Sequence, residues 1–486
     1  MKKLLITLIV LLQAITAMAE SVEFEGLKYN LNVDEKTASV GDNTSYSGIL
    51  VIPEKIEYEG VEYTVTAIDQ SAFYKNYNLL SVTIPNTVKT IGDYAFESCS
   101  SLASVKIGDG VKIIGRNAFY YSSLVSVTIG KEVNIIGSYA FNQCYNLTQV
   151  YISDLAAWCR IDFQELTSNP LYYSHHLFLN KKEVKDLVIP DGVTEIKKYA
   201  FAGATNITSL TLNDGVTMVG NRAFYGCASL VAVNFGLNLS SIENNAFYDC
   251  TSIGALVLPD GITTIGEYAF RGCENLEELK LPEGLQIIKT GAFAYCSKLT
   301  NIIIPANVEF IYYEAFGGNP QPQSPLTIVM MAEYPPLAYS NTFLDGTKFV
   351  VSDESLELYE SVSPWSNYEI NTFSGSGPEK CAEPEIIYRD GKIIFSCQTP
   401  DAEFHYTVTS EDFVEKKTGG QAPVSATYKV TAYATKAGYE KSDEVSKSIN
   451  ITKMPTADLN GDGDVNAADA VKIVNIIMGK EVYPND

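Results

Sequence analysis

The sequence predicts a mainly β solenoid of stacked coils, followed by a small all-β domain and a short C-terminal loop and helix. Three observations carry that expectation. First, the pair Ala-Phe recurs at Ala72-Phe73, Ala95-Phe96, Ala118-Phe119, Ala140-Phe141, Ala200-Phe201, Ala223-Phe224, Ala246-Phe247, Ala269-Phe270, Ala292-Phe293 and Ala315-Phe316. The steps are 23 residues, apart from one of 22 and one of 60. A fixed period in the twenties means coils that bury their apolar face only against neighbouring coils. Second, apolar residues inside a coil sit at strand spacing, as in Leu276-x-x-Leu279-x-Leu281-Pro282. Third, 46% hydrophobic and 19% charged residues describe a folded chain, and 486 residues give room for about three domains.

Within a coil, Leu279 and Leu281 stand two apart and so face inward from one short strand. The Ala-Phe pair then turns the chain back: the small residue admits the backbone and the ring fills the core. Three residues after the phenylalanine come Cys99, Cys144, Cys227, Cys250, Cys273 and Cys296. Rungs of a sheet lie about 4.8 Å apart, whereas bridged Cβ atoms prefer about 3.8 Å. These six are expected as buried thiols, not disulfides.

The pattern resembles leucine-rich repeats, and more specifically the bacterial BspA-type repeats with their I-P-x-x-V-x-x-I-G-x-x-A-F-x-x-C signature. Ile84-Pro85, Val88, Ile91-Gly92, Ala95-Phe96 and Cys99 match it position by position. The resemblance covers about residues 46–373. It implies an opening unit at 61–68 and a closing cap at 356–368 around Trp365. The 60-residue step holds a longer unit at 154–190, with Trp158-Cys159 and Asn169-Pro170-Leu171-Tyr172-Tyr173, expected as a bulge on the solenoid surface.

The outward strand positions read Ser81/Thr83, Ser104/Lys106, Ser126/Thr128, Gln149/Tyr151 and Ser209/Thr211 through to Asn301/Ile303. Small and hydroxylated side chains dominate, and no acid pair projects into a cleft as carboxylate catalysis requires. Three histidines leave little room for a His-based triad. An extended surface for an extracellular protein or polysaccharide fits better. The net charge of −23 argues against nucleic acid or an anionic membrane as the main partner.

Residues 1–19 carry two lysines, an apolar run and Ala17-Met18-Ala19, which read as a secretory signal peptide with an A-x-A cleavage site. The apolar run is shorter than the roughly 20 residues of a membrane span, and no later stretch is apolar enough. The mature chain is therefore expected to be secreted or at the cell surface.

Residues 374–380 (Ser-Gly-Ser-Gly-Pro and its flank) read as a linker, and 381–453 as short alternating strands with Arg389-Asp390-Gly391 as a hairpin turn. This part resembles the immunoglobulin-like β-sandwich at the C-terminus of secreted glycosidases such as chitobiase. Cys381 and Cys397 flank its first hairpin, and a disulfide between them is left open. Residues 457–486 carry the strongest chemical motif. Asp458, Asn460, Asp462, Asp464, Asn466 and Asp469 stand at positions 1, 3, 5, 7, 9 and 12 of an EF-hand-like loop, with Gly463 at position 6. Calcium needs six to eight oxygens around one point, and the glycine permits the turn that gathers them. The loop followed by a helix resembles one dockerin repeat, which implies a cohesin-like or intramolecular partner for the stripe Val471, Val474, Ile477 and Met478. Dockerins carry two such units and this tail holds one.

The expected function is a non-enzymatic binding or adhesion protein with a calcium-binding terminal module. The alternative is a non-catalytic component of an extracellular polysaccharide-degrading assembly.

Overall fold

A computed structural model describes residues 20–317, 325–339, 341–373, 381–389, 392–399, 402–413, 426–435 and 442–451. The chain forms two compact units, residues 1–371 and 372–486.

The first unit is a solenoid that opens with two largely parallel sheets, one on each long side of the coil; beyond residue 183 one side continues as a single sheet and the other as three. In one, Gly48–Val51, Leu79–Thr83, Ser104–Lys106, Ser126–Thr128, Gln149–Ile152 and Leu177–Leu179 lie side by side. In the other, Val61–Ile68, Thr90–Ile91, Ile113–Ile114, Ile135–Ile136 and Asp162–Phe163 do so. Alternation decides the faces: Val82, Val105, Val127 and Val150 point into the core, while Ser81, Ser104, Ser126 and Gln149 align outward. Tight packing also explains the Ile-Gly pair of the repeat. A Cβ on Gly92 would meet the Gln70 amide nitrogen at 2.5 Å, and one on Gly115 the Asp93 nitrogen at 2.6 Å.

The Ala-Phe turn is itself a ladder. Tyr94 and Ser98, flanking Ala95-Phe96, have φ of 59° and 58°. This alternation points every second amide at the next coil: Tyr94, Phe96 and Ser98 donate to the Arg116, Ala118 and Tyr120 carbonyls at 2.8, 2.7 and 2.8 Å. The phenylalanines stack along the core, with ring centroids 5.0–5.2 Å apart from Phe73 to Phe141. From Phe201 to Phe316 the spacing is 5.1–5.5 Å. The stack runs one ring beyond the sequence repeat, to Phe343, where Thr342 stands in place of alanine.

The long unit is not a surface bulge. Its strand Asp162–Phe163 pairs with Ile135–Ile136, and Leu177–Leu179 pairs with Gln149–Ile152, so it supplies a rung to each sheet. Trp158, Leu171 and Asn169 are buried in it. The indole Nε1 donates to the Ala200 carbonyl at 2.8 Å, and the Asn169 amide donates to the Tyr199 and Ala200 carbonyls at 2.6 and 3.1 Å. Those side chains replace the backbone ladder that a regular coil would offer. Both sheets restart beyond it, at Asp186–Val188 and Glu195–Ile196. The apolar core runs through without a break.

The array also begins one coil earlier than the repeat predicts. Thr37–Val40 pairs in parallel with Val61–Ile68, so 61–68 is a second rung, not the opening one. That first coil lacks Ala-Phe; the Asn43 amide takes the place of a phenylalanine amide and donates to the Ala72 carbonyl. An antiparallel hairpin, Glu20–Phe24 with Leu27–Asn32, extends the sheet beyond it and buries Tyr29 and Leu31. At the other end a helix, Leu356–Ser361, buries Tyr359, and Trp365 packs on Phe343, Phe349 and Tyr359 at 5.3, 5.1 and 5.2 Å. Its Nε1 donates to the Pro336 carbonyl at 3.0 Å. The two tryptophans of the chain thus stand at breaks in the repeat.

The second unit is all-β among its described residues. Glu385–Arg389 and Lys392–Ser396 form an antiparallel hairpin, and Glu403–Phe413, Ala426–Thr435 and Val445–Ile451 form a three-stranded antiparallel sheet. Phe395 lies 5.8 and 5.0 Å from Phe404 and Tyr406, and Lys447 Nζ donates to the Ile386 carbonyl. Cys381 and Cys397 are both thiols, and Cys397 donates to the Thr399 carbonyl at 3.4 Å.

Candidate binding surface

Two surfaces of the solenoid carry side-chain types that recur from coil to coil. The first is the outer sheet face. Ser81, Ser104, Ser126 and Gln149 form one column, and Thr83, Lys106, Thr128 and Tyr151 the next, as the sequence pattern predicts. Beyond the long coil the columns continue as Asp186, Ser209 and Ala232, and as Val188, Thr211 and Asn234. The face is flat and hydroxyl-rich, and Ser209 Oγ donates to Asp186 Oδ1 at 2.6 Å. Such a surface can hydrogen-bond a partner over its length, but it excludes no water from any one point.

The second surface is the turn edge, where tyrosine concentrates. Tyr74, Tyr120, Tyr225 and Tyr248 directly follow the coil phenylalanine, and Tyr94, Tyr139, Tyr199 and Tyr268 directly precede the alanine. The latter four have φ of 59°, 61°, 64° and 55°, a left-handed conformation that costs a bulky residue about 1–2 kcal/mol. Neighbouring coils bring the rings together. Tyr225 stacks on Tyr248 at 4.9 Å, and the Arg271 guanidinium lies 5.0 Å from the Tyr248 ring and 4.3 Å from Tyr295. Arg271 also donates to the Tyr248 hydroxyl. Gln143 Nε2 donates to the Tyr120 hydroxyl at 2.9 Å.

The long coil carries this edge across the break between the two sheet blocks. Tyr173 meets Tyr145 edge-on at 5.7 Å and Tyr172 at 5.3 Å. Its hydroxyl donates to Asn142 Oδ1 at 2.5 Å. Burial pushes the Tyr173 phenol up, and burial with Tyr248, Asp249 and Tyr172 nearby does the same for Tyr225. Both stay neutral, so the edge offers phenol hydroxyls and ring surface, not phenolates. Burial also raises the Asp249 carboxyl, against the opposing pull of Arg271. Sequence reasoning put the contact positions on the sheet face, with tyrosines as added contact area of unassigned place; the left-handed turns that orient Tyr94, Tyr139, Tyr199 and Tyr268 on the edge leave no mark in hydrophobic periodicity.

The cysteine ladder is structural. Cys99, Cys144, Cys227 and Cys250 donate Sγ–H to the Phe73, Phe119, Phe201 and Phe224 carbonyls of the preceding coil at 3.1, 3.1, 3.2 and 3.2 Å. All six ladder cysteines are buried thiols, as expected. Where Ser122 replaces the cysteine, its hydroxyl donates to Phe119 in its own coil at 2.7 Å.

The six oxygen-bearing residues of the calcium motif, Asp458, Asn460, Asp462, Asp464, Asn466 and Asp469, lie outside the described residues, as do the helix stripe and residues 1–19. Among the described residues no cluster of His, Cys, Asp or Glu is arranged to hold a metal. No helix among them is long and apolar enough to cross a membrane.

Comparison with known proteins agrees with this coil. The BspA type leucine rich repeat region matches in six copies, over residues 66–157, 172–259 and 194–323, together half of the chain. The chain belongs to the BspA-type leucine-rich repeat family. The match lapses between residues 157 and 172, inside the long coil, where the fold continues. Solved structures similar to this BspA-type chain include a leucine rich cell surface protein from Faecalibacterium prausnitzii, 25% identical over 58% of this chain and 94% of that one, with a TM-score of 0.29. The pneumococcal vaccine antigen PcpA is 19% identical over 74% of this chain and 100% of that one, with a TM-score of 0.43. A leucine-rich repeat protein from Bacteroides ovatus is 23% identical over 59% and 95%, with a TM-score of 0.27. No curated protein matches the chain.

Proposed function

We propose that this chain is an exported, non-enzymatic binding protein that recognises a macromolecular partner through its solenoid, with the tyrosine-lined turn edge as the main contact. The observation that carries this reading is the repeated placement of tyrosine in a left-handed turn. Four of ten coils hold a bulky ring at a position where Gly291 and the asparagines Asn117 and Asn245 would cost less. Strain kept repeatedly at one surface is a mark of use. Tyrosine also gives large, rigid, amphipathic contact area at low entropic cost, which is why binding loops are rich in it. The hydroxyl-rich sheet face adds a second, flatter contact. The test is a binding panel of immobilised extracellular-matrix proteins and neutral polysaccharides, comparing the wild-type chain with a Tyr145→Ala, Tyr225→Ala, Tyr295→Ala variant. Loss of the wild-type signal with unchanged folding supports the edge; an unchanged signal refutes it.

A second reading rests on the EF-hand-like motif at 458–469. There a calcium-ordered loop and helix would attach the chain to a scaffold in a polysaccharide-degrading assembly. Calcium-dependent capture by a cohesin domain would favour it over adhesion.

A further inference from the structure

Resting on the reading that the tyrosine edge binds a partner, we propose that the partner is a protein and that Tyr145, Tyr172 and Tyr173 receive one of its cationic side chains, an arginine or a lysine. Three features converge on that assignment.

The first is ring geometry. Tyr173 stands at 81° to Tyr145 and 88° to Tyr172, so the three rings form two near-perpendicular corners. The Tyr173–Asn142 hydrogen bond holds the shared ring in place, and Tyr145 is 72% exposed. Ring faces are electronegative, and Tyr145, most of it exposed, can take a cation on its ring beside these edge-to-face contacts.

The second is a precedent on the same edge. Downstream, Arg271 places its guanidinium between Tyr248 and Tyr295, rings two coils apart, at 5.0 and 4.3 Å. Upstream, Lys75 Nζ lies 5.0 Å from the Tyr74 ring centre. Between these two stretches, no lysine or arginine among the described residues lies over Tyr145, Tyr172 or Tyr173. The rings are repeated and the chain's own cation is not.

The third is charge. The chain carries a net −23, so its field draws a basic partner and opposes an acidic one. Tyr173 itself packs against the core, whereas Tyr145 stands mostly exposed beside it.

The experiment is saturation-transfer NMR on the whole chain with N-acetyl-arginine amide as the probe, beside N-acetyl-glutamine amide and cellotetraose. Tyr145→Ala, Tyr172→Ala and the ring-preserving Tyr145→Phe are compared with wild type. The expected result is transfer to the arginine side-chain methylenes in wild type and Tyr145→Phe, falling about fivefold or more in both alanine variants. Equal transfer in the alanine variants, or transfer to cellotetraose in preference to arginine, would overturn the proposal. Failure of the underlying reading looks different. A panel protein whose affinity survives Tyr145→Ala and Tyr172→Ala but drops with Tyr225→Ala removes the cation site and leaves the edge in place. Indifference to every edge variant removes both.

Discussion

Six of the ten Ala-Phe coils place a thiol where its proton is given to a backbone carbonyl of the preceding coil, and burial then fixes its chemistry. Burial pushes Cys99, Cys144, Cys159, Cys227 and Cys296 up to about 12, from an ordinary 9.0, and holds Cys250 and Cys273 well above that ordinary value. In the folded chain these groups remain thiols at neutral pH and should react with thiol reagents only on unfolding. The sign of the pH effect follows. Below about pH 9 folded and unfolded chains both keep the proton, so these thiols add no pH dependence. Above it the unfolded chain loses protons first. Stability should therefore fall by up to about 1.4 kcal/mol per pH unit for each thiol, until the folded thiols ionise near 12. Urea midpoints measured from pH 7 to 11 check this; a flat profile above pH 9 would contradict it. The calcium motif is a residue-scale prediction of another kind. Titration calorimetry of the chelator-treated chain should show one calcium site, and Asp462→Ala should weaken it about tenfold, or about 1.4 kcal/mol. The thiols were legible in the sequence because a cysteine recurring three residues after the phenylalanine in six coils has one place to go. The tyrosines were not, since the sign of φ at Tyr94 or Tyr268 cannot be read from residue type.

The long coil shows what an element can do that a repeat cannot. It interrupts both sheets, yet passes the core from Phe141 to Phe201 through Trp158 and Phe163, whose rings meet edge-on at 5.4 Å. Three polar side chains cap the next coil: the Trp158 indole and Asn169 amide, with His175 Nδ1 2.8 Å from the Gly203 carbonyl. Trp158→Ala should cost about 3–5 kcal/mol as a buried large-to-small change. Because the loss falls at the joint, it should also split unfolding into two transitions, one for each block of coils. A single transition with the wild-type denaturant dependence would show that the joint carries no such coupling. The sequence showed that residues 154–190 depart from the repeat. It could not show that their tryptophan points inward, because one indole without periodicity reads equally as core or surface. The opening coil was hidden for the same reason: Asn43 performs the backbone role of Ala-Phe with none of its pattern.

At the scale of the whole molecule, a solenoid divides its labour by side. The interior holds stacked phenylalanines and the two sheets. The ends are closed by a hairpin and by the Trp365 cap. The outer sheet face and the turn edge remain, each enriched in one side-chain class over part of the array. The fold was largely legible because a 23-residue period with an inward pattern admits few other structures. The partner was not, because repetition specifies a surface without specifying what meets it. Recognition by the tyrosine edge of the solenoid can be read by surface plasmon resonance. Wild type and the Tyr145→Ala, Tyr225→Ala, Tyr295→Ala variant would be passed over whichever panel component retains the wild-type chain. A loss of about tenfold or more in affinity is expected, with an unchanged circular dichroism spectrum and melting temperature. Full affinity in the variant, or full affinity in a chain whose solenoid has been removed to residue 373, would contradict it.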